Sequence, residues 1–270
     1  MKDFFRTASM YPVLKKEPLS EDYFILNVRA EHLQGSQAGQ FALLQHTELS
    51  EPIPLSILEV DGDKVSFLVK VVGRSTLELK EEAQQVSYIA GPLGRPFPVK
   101  NYGKVVCFGT GWGIAPLYNV AKFLKEEGDS LELYFLSEDG FLPLRERLDA
   151  LFDRVEVLRE PKRVDAGLII SAGSNRFSRD VLKLNPETPH IAMVNTHMLD
   201  AVGLCLVCRV LVDGAVKLAC LDGPWFDAQK VDWENLMSRE DLFAEQERLA
   251  LEEYQKLLRR KNLRKTSSEV

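Results

Sequence analysis

The chain has 270 residues, of which 45% are hydrophobic and 27% charged, a composition typical of a globular protein with room for about two domains. Its net charge of −6 argues against a general nucleic-acid-binding protein, and no apolar stretch approaches the ~18 residues that cross a membrane. The first residues lack the long apolar core of a signal peptide, which predicts a cytoplasmic protein with reduced thiols.

The first hundred residues predict an antiparallel β-barrel. Apolar and polar residues alternate over 24–28, 41–43 and 65–71, and this period of two predicts half-buried strands. Glycine and proline residues punctuate the segments, as at 91–94. Many short strands with turns between them are typical of a small barrel.

From residue 104 the pattern changes to α/β. A buried strand is predicted over 104–108, and the isolated Cys107 within it is interpreted as a core residue. A glycine-rich turn, a helix over 116–126 that begins with proline, and a strand over 131–136 complete a βαβ unit. Further strands of the sheet are predicted at 164–170 and 190–194.

The C-terminal part predicts a helix from Met237 onward. Ser238 with Asp241 three residues later is a variant of the capping box, which marks a helix start. Apolar residues over 243–258 predict an amphipathic helix, which packs either on its own domain or on a partner.

Three of the four cysteines fall within sixteen residues and follow an aspartate, in the pattern Asp200, Cys205, Cys208 and Cys220. Clustered thiolates select iron–sulfur clusters or zinc, and the spacing fits the plant-type [2Fe–2S] template with Asp200 in the first ligand place. A zinc site, with Asp200, His190 or His197 as fourth ligand, and an unliganded trio of thiols are the alternatives.

Two further motifs have both a structural and a nucleotide-binding interpretation. Gly109, Gly111 and Gly113 follow a strand and precede a helix, which suits either a tight turn or a pyrophosphate site. The segment Gly73-Arg74-Ser75-Thr76 suits either a β-turn with a solvated arginine or a diphosphate site.

Together these motifs resemble the ferredoxin–NADP reductase superfamily, in the branch with the electron-transfer subunit of dihydroorotate dehydrogenase. The resemblance covers residues 8–240 and includes members that hold a [2Fe–2S] cluster with one Asp and three Cys, such as the small subunits of NADH-dependent ferredoxin:NADP oxidoreductases. It rests on the segments Ala38–Phe41, Ile53–Ser56, Val71–Thr76, Gly91–Gly94, Gly113–Leu117 and Asp200–Asp227.

The resemblance implies FAD on the barrel, NAD(H) on the glycine-rich turn and a [2Fe–2S] cluster on Asp200, Cys205, Cys208 and Cys220. Electrons would pass between these groups to a larger flavin or iron–sulfur partner subunit, or to ferredoxin. No catalytic residue is assigned. The implied FAD and NAD(H) contacts are Ile53, Pro54, Leu55, Ser56, Leu68, Val69, Lys70, Gly73, Ser75 and Thr76, and then Gly109, Gly111 and Gly113.

The sequence departs from the family pattern in two places that bear on NAD(H). The segment 135–171 is shorter than usual, and Ser171–Asn175 replaces the usual Gly-Pro turn near the nicotinamide. These departures motivate a second hypothesis, an electron relay or scaffold subunit without nicotinamide binding. A zinc-stabilised regulatory module is the third hypothesis.

The expected fold class is a β-barrel plus α/β, with a parallel nucleotide-binding sheet, a small [2Fe–2S] loop domain and a C-terminal helix. The expected domains are an FAD-binding barrel at 1–99, an NAD(P)-binding-like α/β domain at 100–194, a cluster-binding segment at 195–230 and a C-terminal helix and tail at 231–270.

Overall fold

The computed structural model describes residues 10–268, with side chains described up to residue 260. Its first part is an antiparallel sheet that rolls into a nearly closed barrel. The strands are β1 (Tyr11–Pro18), β2 (Tyr23–Arg29), β3 (Phe41–Gln45), β4 (Ile53–Asp61), β5 (Lys64–Lys70), β6 (Gln85–Val86) and β7 (Tyr88–Leu93). Their spatial order is β6-β1-β2-β5-β4-β3-β7, and helix α1 (Arg74–Glu81) follows β5.

The second part is an α/β sheet of six strands. They are β8 (Lys104–Thr110), β9 (Ser130–Leu136), β10 (Arg154–Leu158), β11 (Leu168–Ala172), β12 (His190–Met193) and β15 (Trp225–Asp227). The order is β10-β9-β8-β11-β12-β15, in which β15 alone is antiparallel to its neighbour. The packing helices are α2 (Ile114–Glu126), α3 (Arg145–Leu151) and α4 (Asn175–Leu184).

The remaining elements lie after β12. A two-stranded ribbon, β13 (Arg209–Val212) and β14 (Ala215–Leu218), projects from the segment with the cysteines. Two helices follow, α5 (Trp233–Met237) and α6 (Ala244–Ser268). Among the helices of residues 10–268, none is long and apolar enough to cross a bilayer.

The predicted barrel strands are confirmed, but the prediction that they are half-buried is wrong for β2, β3 and β5. All three strands are buried on both faces. Phe24 and Phe67 point into the barrel core, whereas Ile25 and Leu68 join the core between barrel and α/β sheet. A strand that contributes to two cores buries both faces, and the polar residues Asn27 and Ser66 are buried with a hydrogen bond between their side chains.

Three predicted boundaries are corrected. Pro116 is the third residue of α2 rather than the first, and β11 begins at Leu168 rather than at residue 164. The predicted start at Ser238 is also wrong, because α5 already ends at Met237 and α6 begins at Ala244. The side chain of Asp232 caps α5 by accepting the N–H of Asn235 at 3.0 Å.

A buried group of hydrogen bonds joins the barrel to the α/β part. Asn119 on α2 accepts the N–H of Gly39 at 2.7 Å, and the indole of Trp225 donates to the carbonyl of Gly39 at 2.9 Å. Gly39 has a φ of 73°, and a Cβ there would collide with the indole. Only glycine therefore suits this position.

The sheet also buries an imidazole whose state depends on pH. The Nε2 of His190 lies 2.8 Å from the Oγ of Ser171 in the core, and burial lowers the pKa of His190 to about 3. His190 is therefore neutral in the folded protein at neutral pH, whereas the unfolded chain takes up a proton near pH ~6.5.

We expect the unfolding free energy to fall as pH drops from about 6.5 toward 3, because only the unfolded state then protonates His190. Between pH ~7.5 and ~5 the wild type should lose about 2 kcal/mol more than His190→Gln, measured by urea unfolding. The exposed His32→Gln is the control and should follow the wild type. The same pH dependence in His190→Gln and the wild type would contradict this expectation.

Candidate functional site

A cavity of about 240 Å³ lies where the barrel, the α/β sheet and the segment after β12 meet; we call it the junction cavity. Strands β4 and β5 form one wall, and the turn at the start of α2 forms another. Most of its lining is apolar. The lining residues are Phe41, Ile53, Pro54, Leu55, Ser56, Leu68, Lys70, Val72, Thr76, Trp112, Ala115, Met193, Val194, Asn195, Thr196 and Met198.

The junction cavity gathers most of the residues assigned to FAD by resemblance. Those that line it are Ile53, Pro54, Leu55, Ser56, Leu68, Lys70 and Thr76. Val69 does not, and its assignment is corrected, because its side chain is fully buried in the barrel core. Successive side chains of a strand point to opposite faces, so the neighbours Leu68 and Lys70 face the cavity while Val69 faces away.

A second cavity of about 220 Å³, the helix-end cavity, adjoins the first and shares Ile53, Val72 and Thr76 with it. Gly73 and Ser75 line it at the N-terminus of α1. Free N–H groups and the helix dipole favour an anionic group at such an end. The two cavities together form one elongated space with an apolar part and a part suited to phosphate.

Thr76 holds the turn that separates the two cavities. Its Oγ1 accepts the N–H groups of Val72 and Gly73 at 3.0 and 3.1 Å, and donates to the carbonyl of Gly73 at 2.9 Å. The Thr76 hydroxyl thus fixes the backbone around the helix N-terminus. Its implied contact with FAD stays a prediction.

No sequence motif indicates which residues form the opposite wall of the helix-end cavity. Glu247 and Ala250 of α6 line it, so the C-terminal helix lies across α1. Tyr254 is buried there, with the guanidinium of Arg74 5.9 Å from its ring centroid. Part of the predicted amphipathic face therefore packs on the chain itself, whereas Leu257 remains exposed.

An open groove of about 770 Å³ lies at the carboxyl ends of β8, β9 and β11; we call it the switch-point groove. The strand order reverses between β8 and β11, and open α/β sheets bind ligands at such a point. Gly111 lines the groove with a φ of 55°. Its charged lining residues have both signs: Lys70, Arg159, Arg176, Asp22, Glu138, Asp139 and Asp180.

The other two glycines of the turn do not line the groove, which corrects their assignment as NAD(H) contacts. A Cβ at Gly109 would lie 2.9 Å from Leu117, and a Cβ at Gly113 would overlap the carbonyl of Ala172. Both glycines let α2 pack closely on the sheet. Of the three, only Gly111 has its backbone open to a ligand.

The four predicted cluster ligands lie in one loop region as two pairs, Cys208 with Cys220 and Asp200 with Cys205. The Sγ atoms of Cys208 and Cys220 are 3.2 Å apart and buried, whereas Cys205 is exposed. Burial and the neighbouring Cys208 raise the pKa of Cys220 to about 12. Cys107 is fully buried in β8, away from this region, as predicted for a core residue.

Asp200 organises this loop through backbone hydrogen bonds. Its carboxylate accepts the N–H groups of Val202, Gly203, Leu204 and Cys205 at 2.5–3.2 Å. Burial opposes ionisation, but these donors hold the pKa of Asp200 below its usual value. Successive N–H groups that converge on one anion form a nest, and here the anion is the Asp200 carboxylate.

The donor set and the loop both fit a [2Fe–2S] cluster. No group of three His, Cys, Asp or Glu residues within residues 10–260 is arranged around a single metal ion. A two-iron cluster spreads its ligands over two metals, so it does not need that arrangement.

The segment 193–198, which we call the connector, joins the junction cavity to the cysteine loop. Met193, Val194 and Met198 line the cavity, and Asp200 follows two residues later. The side chain of Asn175 fixes the connector, because its Oδ1 accepts the N–H of Asn195 at 2.9 Å and its Nδ2 donates to the carbonyl of Asn195 at 2.7 Å.

The glycine contacts predict different costs for two substitutions. Gly113→Ala should lower the unfolding free energy by about 3 kcal/mol, because its Cβ meets backbone that cannot move aside. Gly111→Ala should cost about 1 kcal/mol, because only the left-handed φ is strained. Urea unfolding measures both, and equal costs would contradict the packing role of Gly113.

Comparisons with known proteins agree with this geometry. The iron–sulfur cluster binding domain of dihydroorotate dehydrogenase B matches residues 195–232. A Thermotoga maritima protein described as a dihydroorotate dehydrogenase B (NAD(+)) electron transfer subunit homolog is 30% identical over 273 residues, covering 92% of this chain and 97% of that protein. The corresponding electron transfer subunit of Clostridium perfringens is 27% identical and covers 77% of this chain and 92% of that protein.

Solved structures have the same fold. A chain from the NADH-dependent reduced ferredoxin-NADP oxidoreductase, studied for flavin-based electron bifurcation, superposes with a TM-score of 0.81 at 28% identity, covering 91% of this chain and 98% of that chain. Phthalate dioxygenase reductase shares the fold alone, with a TM-score of 0.54 at 12% identity over 78% of this chain and 93% of that chain. The chain therefore belongs to the dihydroorotate dehydrogenase B electron transfer subunit family of the ferredoxin–NADP reductase superfamily, and it is an oxidoreductase electron-transfer subunit with an iron–sulfur cluster binding domain.

Proposed function

We propose that this subunit holds FAD in the junction and helix-end cavities and a [2Fe–2S] cluster in the cysteine loop, and that it passes electrons between a nicotinamide cofactor and a larger partner subunit. A flavin supplies the exchange between two-electron and one-electron transfer, and the cluster carries single electrons. The chain's own part is to hold both groups at fixed positions and to tune them.

The connector is the observation that carries this proposal. Residues 193–198 form a wall of the junction cavity, and the same stretch of backbone runs on to Asp200. A flavin in the cavity and a cluster in the loop would thus be held by one short segment, which Asn175 fixes. This arrangement supports direct electron transfer within a single subunit.

In this proposal the flavin ring of FAD lies in the junction cavity, and its diphosphate lies in the helix-end cavity. Ser56 and Lys70 offer polar contacts to a flavin ring in the mostly apolar junction cavity. Gly73 and Ser75 receive the diphosphate at the N-terminus of α1. The proposed domains are those of the sequence expectation, namely 1–99, 100–194, 195–230 and 231–270.

The cluster is proposed to bind Asp200, Cys205, Cys208 and Cys220. Anaerobically purified protein should then contain about two irons and two labile sulfides per chain. Cys208→Ser should remove the visible absorption of the cluster, whereas Cys107→Ser, in a distant buried strand, should leave it nearly unchanged. Stoichiometric zinc without iron would refute this assignment.

The elongated space predicts FAD rather than FMN, released on denaturation and identified by chromatography. Thr76→Val should weaken FAD binding about tenfold, because loss of the hydroxyl that fixes the 72–76 turn costs about 1–2 kcal/mol. Thr47→Val, which removes a hydroxyl bonded to Ser50 outside both cavities, is the matched control. A protein that holds its cluster but takes up no FAD on reconstitution would overturn the flavin assignment.

For NAD(H), the proposed site is the switch-point groove with Gly111 at its centre. Lys70, Arg159 and Arg176 offer cations to the phosphates, and the backbone of Gly111 lies open between strand ends. Lys70 lines both the groove and the junction cavity, so the two spaces meet at this residue. A nicotinamide entering from the groove would approach the flavin at this point.

A second candidate function, an electron relay without nicotinamide binding, is favoured by the boundary between groove and cavity. Gly111 lines the groove while the next residue, Trp112, puts its indole on the junction cavity, so a large side chain separates the two spaces. The connection 159–167 between β10 and β11 also contains no helix. If dithionite reduces the bound flavin and cluster but neither NADH nor NADPH does, even with the partner bound, the relay function is correct.

The proposed partner is a larger oxidoreductase subunit that docks over the cysteine loop. Leu204 is 82% exposed, and four more half-exposed apolar side chains surround the loop. Exposed apolar surface at an electron-transfer site suits a protein interface. Those four residues are Leu199, Val202, Leu206 and Leu221.

A further inference from the structure

Among residues 10–260, Lys70 is the one charged residue that lines the junction cavity. It is the last residue of β5, and its neighbours around the cavity include Leu55, Leu68 and Trp112. A charge beside an apolar space interacts with a bound group more strongly than it would in water, because less solvent screens it.

The ammonium of Lys70 has no carboxylate partner in the part of the chain that the structure describes: no carboxylate oxygen of residues 10–260 lies within 4.0 Å of its Nζ. Its Nζ lies 5.5 Å from the ring centroid of Tyr23, and a Cβ on Gly111 would be 3.6 Å away. Lys70 is half-buried and forms no close ion pair at the cavity wall, although its charge helps to lower the pKa of the exposed Asp139 from a longer distance.

The acids nearest to Lys70 face the groove rather than the junction cavity. Asp22, Glu138 and Asp139 line the groove with it. The carboxylate of Asp139 is engaged in its own loop, where it accepts the Ser137 hydroxyl at 2.6 Å and the Phe141 N–H at 3.0 Å. None of these acids lines the junction cavity, so on that side the positive charge is not offset.

We propose that Lys70 stabilises the reduced state of the flavin in the junction cavity and so raises its reduction potential. The inference rests on the proposed FAD binding. A flavin that takes up two electrons and one proton from a reductant gains one negative charge, whereas the oxidised ring is neutral. An ammonium without an ion pair at the wall therefore strengthens the binding of the reduced flavin more than the binding of the oxidised flavin.

The test compares the affinities of the purified protein for oxidised FAD and for dithionite-reduced FAD. Their ratio gives the shift in potential even for a variant that binds FAD weakly. Lys70→Met should lower the preference for reduced FAD about tenfold relative to the wild type, which equals about 30 mV for a two-electron couple. Lys70→Arg, which keeps the charge, should stay within about twofold of the wild type.

Lys64→Met is the matched control, because Lys64 is at the other end of β5 and lines neither cavity. It should leave the ratio unchanged. An unaltered ratio in Lys70→Met would overturn the inference while FAD binding stands. An unaltered ratio together with a weaker affinity of Lys70→Met for NAD+ would also overturn the inference, and would show that Lys70 binds the nicotinamide cofactor in the switch-point groove. A wild type that binds no FAD in either state would refute the proposed function itself and the inference with it.

Discussion

The fixed contact between barrel and α/β sheet is the constraint on which the rest of the structure depends. Asn119 accepts the N–H of Gly39 and Trp225 donates to its carbonyl, and all three residues are buried. Around them Ile25 and Leu68 of the barrel share one apolar core with α2. Buried hydrogen bonds are directional and burial of apolar area is favourable, so the two parts have one preferred orientation.

That orientation creates the junction cavity, since its walls come from different parts of the chain. Strands β4 and β5 supply one side, and the turn at Trp112 and the connector supply the others. A small rotation between barrel and sheet would open or close it. The bonds of Asn175 to the connector extend the same fixed geometry to the cysteine loop, so the positions of both proposed redox groups follow from packing.

The motifs predicted the fold class and the ligand loop because each reflects local chemistry. The Cys-x2-Cys spacing and the strand–glycine–helix order are short-range features. The structure contains the strands they predict, and it pairs Cys208 with Cys220 and Asp200 with Cys205. Val69 illustrates a limit, since the period of two could have excluded it from the cavity face. Gly109 and Gly113 illustrate another, because one residue type serves both ligand approach and helix packing.

Long-range contacts could not be predicted from the sequence patterns. Nothing local indicates that α6 crosses α1 or that Glu247 reaches the helix-end cavity, because those contacts depend on the path of the chain through 238–243. The capping pattern at Ser238 was misleading for a related reason. Residues that cap helices also favour turns, and Ser238 lies in the turn after α5. The residue that caps α5 is Asp232.

The central claim is that one chain holds a flavin and a [2Fe–2S] cluster as a single electron-transfer unit. An anaerobic reductive titration of the reconstituted subunit, followed by visible absorption, tests it most directly. The account predicts uptake of about three electrons per chain, two by the flavin and one by the cluster. An end point at one or two electrons would mean that one of the two groups is absent, and would contradict the account.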